Sequence, residues 1–162
     1  MKRYRWIIIL LNLLVLLAFF TNSTLKKEEL LSDGSLILLE LAPVDPRSLL
    51  QGDYMRLRYA ISENIDTDSI ARRGFCVVKL DENGVAQRIR LQKEREPVNN
   101  QEYIIEYTSQ KWMGINIGAE SFFFQEGEGE KYEAAAYGGI KVDDQGNSLL
   151  IGLYDENRNK IE

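Results

Sequence analysis

A long apolar run near the N-terminus constrains this chain more than any other feature. Residues 6–20 read W-I-I-I-L-L-N-L-L-V-L-L-A-F-F, with Asn12 as the one polar side chain. At 1.5 Å per residue, a helix extended to residues 4–24 matches the roughly 30 Å hydrocarbon core of a bilayer. The run therefore predicts a transmembrane helix through which the chain contacts a lipid bilayer.

The charges around this run predict its orientation. Lys2, Arg3 and Arg5 precede it and no charge lies within it, and the positive-inside bias keeps such a flank in the cytoplasm. We therefore expect a single-pass protein of the cytoplasmic membrane with a cytoplasmic N-terminus. Its C-terminal domain is expected to be extracytoplasmic, and periplasmic if the cell has an outer membrane.

A cleaved secretory signal is the alternative interpretation of the same segment. A small-x-small cleavage site could lie at Thr21 and Ser23. The run is at the upper end of signal length and ends in the bulky sequence A-F-F, which favours a retained signal-anchor. Both interpretations export the rest of the chain.

The composition of the exported part excludes several classes of site and partner. Beyond Arg5 the chain carries 17 basic and 25 acidic residues, so nucleic acid is not an expected partner. The 162 residues contain no histidine and a single cysteine, Cys76. Histidine-dependent triads, imidazole metal sites and intrachain disulfides are therefore excluded, and no cofactor is predicted. Cys76 is expected to be a buried, reduced thiol.

We divide the chain into a signal-anchor helix over residues 1–24, a stalk over 25–34 and an exported domain over 35–162. In the domain, short apolar or alternating runs are separated by turn-forming residues, and N-G at 83–84 and D-D-Q-G-N at 143–147 predict hairpin turns. The expected fold is mainly β (α+β), a compact antiparallel β sandwich or partly open barrel with one or two short helices.

The expected elements follow from these patterns. Asp45-Pro46 predicts a helical turn over residues 45–50, and residues 128–137 predict a short helix that Gly138-Gly139 would terminate. Strands are predicted at residues 35–42, 54–62, 75–80, 85–91, 103–108, 121–125, 140–142 and 149–154.

The predicted strand at 54–62 follows an unusual string, since residues 52–59 read G-D-Y-M-R-L-R-Y. Alternation places Met55, Leu57, Tyr59 and Ile61 on the face toward the core, and Tyr54 on the other face. An off-core tyrosine needs a second covering layer or a ligand.

Two interpretations of this string remain open. The favoured one is structural: Gly52 adopts positive φ at a turn, Asp53 accepts backbone N–H bonds there or pairs with Arg47, and the strand fixes a register. In the functional one, Asp45, Arg47, Asp53 and Tyr54 form a polar cluster that binds a partner or a small ligand.

The same string carries a family resemblance. Gly52-Asp53-Tyr54, Leu57 and Tyr59 in G-D-Y-x-x-L-x-Y, with D-P-R-S-L-L before them, resemble the bacterial GDYXXLXY family. The later G-A-E-S-F-F-F-Q-E-G-E-G-E-K-Y-E-A-A and D-x-x-G-x-x-L-L-I-G-L extend the resemblance over roughly residues 35–153. It implies a membrane-anchored exported domain, often encoded beside polytopic membrane proteins, so a polytopic membrane protein is the implied partner. It implies no particular activity.

An enzymatic interpretation is weaker. The string L-x-x-G-D before an apolar strand is similar to the entry strand of membrane signal peptidases, which use a Ser-Lys dyad. In this chain, however, Val44-Asp45-Pro46 stands where their nucleophile would be, and Ser48 lies too close to the turn. With no legible nucleophile or acid–base pair, we predict no catalytic residue and favour an interaction domain over an enzyme.

Other side chains that could carry chemistry have simpler interpretations. Glu126, Glu128 and Glu130 could hold a hard cation, but acidic residues also complement the start of a helix, and no metal site is predicted. Trp112 is expected in the core. In F-F-F at 122–124, alternation is expected to bury either the middle ring or its two neighbours.

Overall fold

The computed structural model describes residues 2–42, 54–110 and 114–162. They form one long helix, nine strands and two short 3-10 helices. The elements are α1 (Lys2–Asp33), β1 (Ser35–Glu40), β2 (Tyr54–Arg56), a 3-10 helix (Ala60–Ser62), β3 (Arg73–Leu80), β4 (Ala86–Gln92), β5 (Glu102–Gln110), β6 (Gly114–Asn116), β7 (Ser121–Phe123), a 3-10 helix (Gly129–Tyr132), β8 (Tyr137–Val142) and β9 (Ser148–Tyr154).

Helix α1 contains both the apolar run and the expected stalk without a break. The segment Tyr4–Asp33 is long enough and apolar enough to cross a bilayer, and its apolar window is not buried by the rest of the chain. The stalk sequence L-K-K-E-E-L contains good helix formers and no glycine or proline, which explains why the helix continues. The helix ends where the Gly34 N–H donates to the Leu30 carbonyl at 3.1 Å.

The strands form three antiparallel sheets. Their orders are β1-β8-β9, β2-β7 and β4-β3-β5-β6, and the sheets include one that curls into a half-barrel. The Leu38 N–H donates to the Gly84 carbonyl at 3.1 Å and so joins the first sheet to the turn between β3 and β4. The predicted mainly β fold with one long helix is confirmed.

The core is aliphatic and aromatic, and Cys76 lies within it. Cys76 is fully buried and free, as expected. Burial raises the pKa of its thiol to about 12, and the positive charge of Arg88 opposes this shift. At neutral pH the sulfur is therefore a packed, protonated thiol with little nucleophilic character.

The predicted strand over residues 54–62 is correct in its alternation and wrong in its length. Met55, Leu57, Tyr59 and Ile61 are all buried, as expected. Regular strand covers only β2, because Tyr54–Arg56 pair with β7 whereas Tyr59 pairs with Leu41. The chain thus changes partners within the predicted strand, and a 3-10 helix follows at Ala60–Ser62.

The helix predicted over residues 128–137 is also wrong. Only a 3-10 helix forms at Gly129–Tyr132, and Gly138 and Gly139 lie inside β8. A β-carbon at Gly138 would lie 2.8 Å from the Tyr59 ring, and one at Gly139 would collide with the Tyr154 ring. These glycines make room for two aromatic rings and do not terminate a helix.

The two predicted hairpin turns are confirmed, with an aspartate at the start of each. Asp81 Oδ1 accepts the N–H groups of Asn83 and Val85, and Asp143 Oδ1 accepts those of Gln145 and Asn147, all at 2.8–2.9 Å. These carboxylates satisfy turn amides, the usual role of aspartate at such positions.

The burial of Cys76 is open to a direct test. We expect a polar maleimide to label the native protein at least about tenfold more slowly than the urea-unfolded protein, because labelling requires the core to open. As a control, C76A/S121C moves the thiol to an exposed position on β7, and it should react rapidly in both states. Rapid native labelling of Cys76 would contradict the described core.

Candidate functional site

The structure describes part of the predicted site. Tyr54, Leu57 and Tyr59 are described. Outside the described residues lie the predicted helical turn at 45–50 and the residues Asp45, Arg47, Ser48, Gly52, Asp53 and Trp112.

The three described motif positions all meet the segment 119–123. Tyr54 is the register partner of Phe123 in the β2–β7 pair. The Leu57 N–H donates to the Glu120 carbonyl at 2.8 Å, and the Tyr59 hydroxyl donates to the Ala119 carbonyl at 2.5 Å. The motif strand is therefore attached to this segment through a strand pair, a backbone bond and a side-chain bond.

Tyr59 is the most deeply buried of the three. Its side chain is fully enclosed, and burial, followed by the nearby Glu120 carboxylate, raises the pKa of its hydroxyl above the usual range. The hydroxyl donates a hydrogen bond to the Ala119 carbonyl inside the core. This geometry gives Tyr59 a structural role.

Glu120 lies next to this contact, and the pKa of its carboxyl is shifted. Burial raises its pKa, and hydrogen bonds from backbone N–H groups of its own turn, Ile117 first, oppose the shift. The Ile117 N–H donates to Glu120 Oε1 at 2.6 Å. The carboxyl therefore stabilises the turn that places the Ala119 carbonyl against the Tyr59 hydroxyl. Sequence patterns did not predict this role of Glu120.

Tyr54 is covered by an aromatic ring from the neighbouring strand. The ring centroids of Tyr54 and Phe123 are 5.8 Å apart, and Phe123 is 73% exposed. Phe122 and Phe124 pack instead against the buried Tyr132, so of the two arrangements that alternation left open, the one that turns the outer two rings of F-F-F inward is present. Tyr54 and Phe123 thus form an aromatic pair on the surface beside the motif.

The motif lies at the end of β1 that is far from helix α1. Ser35 follows α1 almost directly, whereas the other end of the strand leads to Leu41, which pairs with Tyr59. The Ala42 N–H continues this pairing by donating to the Arg58 carbonyl at 2.8 Å. Six extended residues span about 20 Å, so the motif and the helix lie at opposite ends of the strand.

A polar groove lies at the end nearer the helix. It has a volume of about 840 Å³ and lies between the last three turns of α1, the turn at 143–147 and the ends of β5 and β6. Its charged lining residues are Lys26, Lys27, Glu29, Asp33, Arg73, Glu106, Asp143 and Asp144. Sequence patterns did not predict this groove, because tertiary packing brings its walls together.

Acidic groups and serine hydroxyls are the described side chains that metal or nucleophile chemistry would use. Within residues 2–42, 54–110 and 114–162, no group of three or more His, Cys, Asp or Glu is placed to hold a metal ion. The hydroxyls of Ser32, Ser69 and Ser148 donate to backbone carbonyls. Ser32 and Ser69 satisfy carbonyls three residues before them, and Ser148 satisfies the carbonyl of Ile117 in a distant segment.

The described residues form a β domain that follows a helix long and apolar enough to cross a bilayer. The strand that carries the motif packs into the core of this domain. The family model described as GDYXXLXY protein matches residues 16–153. The chain therefore belongs to the GDYXXLXY family, and the match includes the C-terminal half of α1 as well as the domain. No curated protein and no solved structure matches the chain significantly.

Two hydroxyl deletions separate the structural and surface roles of the motif tyrosines. We expect Tyr59→Phe to cost roughly 1–3 kcal/mol, because it leaves the Ala119 carbonyl buried without its donor. Tyr54→Phe keeps the ring against Phe123 and should change stability by less than about 0.5 kcal/mol. Urea denaturation of the full chain in mild detergent measures both, and equal effects would contradict the assignment.

Proposed function

We propose that this protein is a membrane-anchored, extracytoplasmic accessory domain that binds a polytopic membrane protein. The observation that carries the proposal is the unbroken helix α1, which runs from the apolar segment directly into the domain. Residues 21–33 extend about 20 Å beyond the apolar run. Such a helix holds a domain at a set height, where the outer loops of a neighbouring membrane protein lie.

The joint between helix and domain supports this interpretation. Leu30 is 7% exposed and packs at the base of the domain, where α1 contacts β8 and β9. Lys141 Nζ donates to the Gly34 carbonyl at 2.7 Å, so a cation from β8 lies at the C-terminal end of the helix, where the helix dipole favours it. A flexible tether would need neither contact.

The orientation part of the proposal rests on Lys2, Arg3 and Arg5 and the positive-inside bias. In intact cells that express C76A/S121C, we expect a membrane-impermeant maleimide to label the single cysteine on β7. The parent C76A controls for background labelling. Labelling that appears only after the cells are lysed would place the domain in the cytoplasm and overturn this part.

The binding surface that we propose is the motif end of the domain. This surface includes Asp45, Arg47, Asp53 and Tyr54. The exposed Phe123 ring beside Tyr54 supports the proposal. Its distance from the helix along β1 would let a partner contact the domain far above the bilayer. The same cluster could take a small ligand carried by that partner.

Co-purification in mild detergent tests the proposal. We expect the full chain to retain a polytopic membrane protein, and Arg47→Ala and Tyr54→Phe to reduce its recovery while the melting temperature changes by no more than a few degrees. Arg95→Ala, at an exposed position of the loop after β4, is the matched control and should leave recovery unchanged.

Two outcomes would contradict the proposal. A monodisperse chain without partner that turns over a peptide or glycan would replace the accessory role with an enzymatic one. If Arg47→Ala unfolds the domain, Arg47 is a structural partner of the motif turn, and the proposed binding cluster is wrong.

A further inference from the structure

One polar side chain lies near the middle of the apolar segment. Asn12 is about two residues, or 3 Å, from the midpoint of residues 4–24, and it is exposed on the helix surface. Its carboxamide has two donors and an acceptor, which face hydrocarbon in the single chain. Polar side chains at this depth typically hydrogen-bond to a neighbouring transmembrane helix.

The face of α1 that carries Asn12 is the face beneath the domain. At about 100° per residue, Leu30 lies five full turns after Asn12 and therefore on the same side of the helix. Leu30 is the helix residue buried against the domain. Ser23 lies about 20° from this direction and lines the polar groove. The domain and the groove thus lie on the same side of α1 as Asn12, beyond the end of the apolar run.

We propose that the Asn12 face of α1 binds a transmembrane helix of a polytopic membrane protein, and that the outer end of that helix enters the groove beneath the domain. The partner helix carries a hydrogen-bonding side chain near the bilayer midplane. This inference rests on the proposed function and specifies where within the bilayer its partner binds.

A second copy of this chain does not fit the same face. Packed helices lie 8–10 Å apart, so a parallel copy on the Asn12 face would continue directly under the first domain. Its residues 21–33 extend about 20 Å beyond the apolar run, into the space that the first domain occupies around Leu30. A helix that ends near the membrane surface avoids this collision, and the spans of polytopic proteins often end there in short loops.

One variant removes the amide, and a second keeps the composition and moves the amide. N12L removes the carboxamide, and N12L/L14N places it about 160° around the helix, on the side away from the domain. The probe is a fluorescent 22-residue leucine-rich transmembrane peptide with one central asparagine, and its all-leucine version is the control. Energy transfer to the labelled full chain is measured in phosphatidylcholine vesicles.

We expect the asparagine peptide to bind the wild-type chain about three- to thirtyfold more tightly than N12L, the range given by interhelical hydrogen bonds in membranes. Energy transfer between two labelled full-length chains should be weak for wild type and stronger for N12L/L14N, whose amide faces away from the domain.

Either of two results would overturn the inference. Equal peptide binding by wild type and N12L would show that Asn12 is not the contact. Wild-type self-association as strong as that of N12L/L14N would make a second copy the occupant of this face. In both cases, continued co-purification of wild type with a polytopic protein would leave the proposed function standing.

Discussion

The hydroxyl of Tyr59 donates to the Ala119 carbonyl inside the core, and several separate parts of the fold meet at this side chain. Its backbone pairs with Leu41 after β1, and its ring lies against Gly138 of β8. The segment that accepts its hydrogen bond leads into β7, the partner of β2. This contact therefore joins the segment before β7 to the region where Tyr59 pairs with Leu41 after β1.

The domain therefore has two ends with different physical character. The end near α1 is fixed to the helix by Leu30 and by Lys141 at the helix terminus, and it borders a polar groove. The motif end carries the surface aromatic pair Tyr54–Phe123. The motif end thus lies away from the attachment to α1, as the proposed accessory role requires.

Sequence patterns predicted the features that depend on local chemistry. Alternation identified the buried face of the motif strand, and the aspartates and glycines of the hairpins identified the turns, because both signals arise within a few residues. The predicted length of the motif strand is wrong because Tyr59 pairs with Leu41, far away in sequence. Gly138 was misassigned for a similar reason, since the ring it accommodates belongs to Tyr59. The groove required the packing of α1 against the turn at 143–147, which no local pattern encodes.

The Tyr59 hydroxyl holds the segment 119–123 against the motif strand. Native-state hydrogen exchange, followed by mass spectrometry on wild type and Tyr59→Phe, tests it most directly. We expect faster exchange in Tyr59→Phe at the Leu57 amide and in peptides that cover residues 119–123, with little change in β3 and β5. Unchanged exchange in the segment 119–123, or an equal increase throughout the domain, would contradict it.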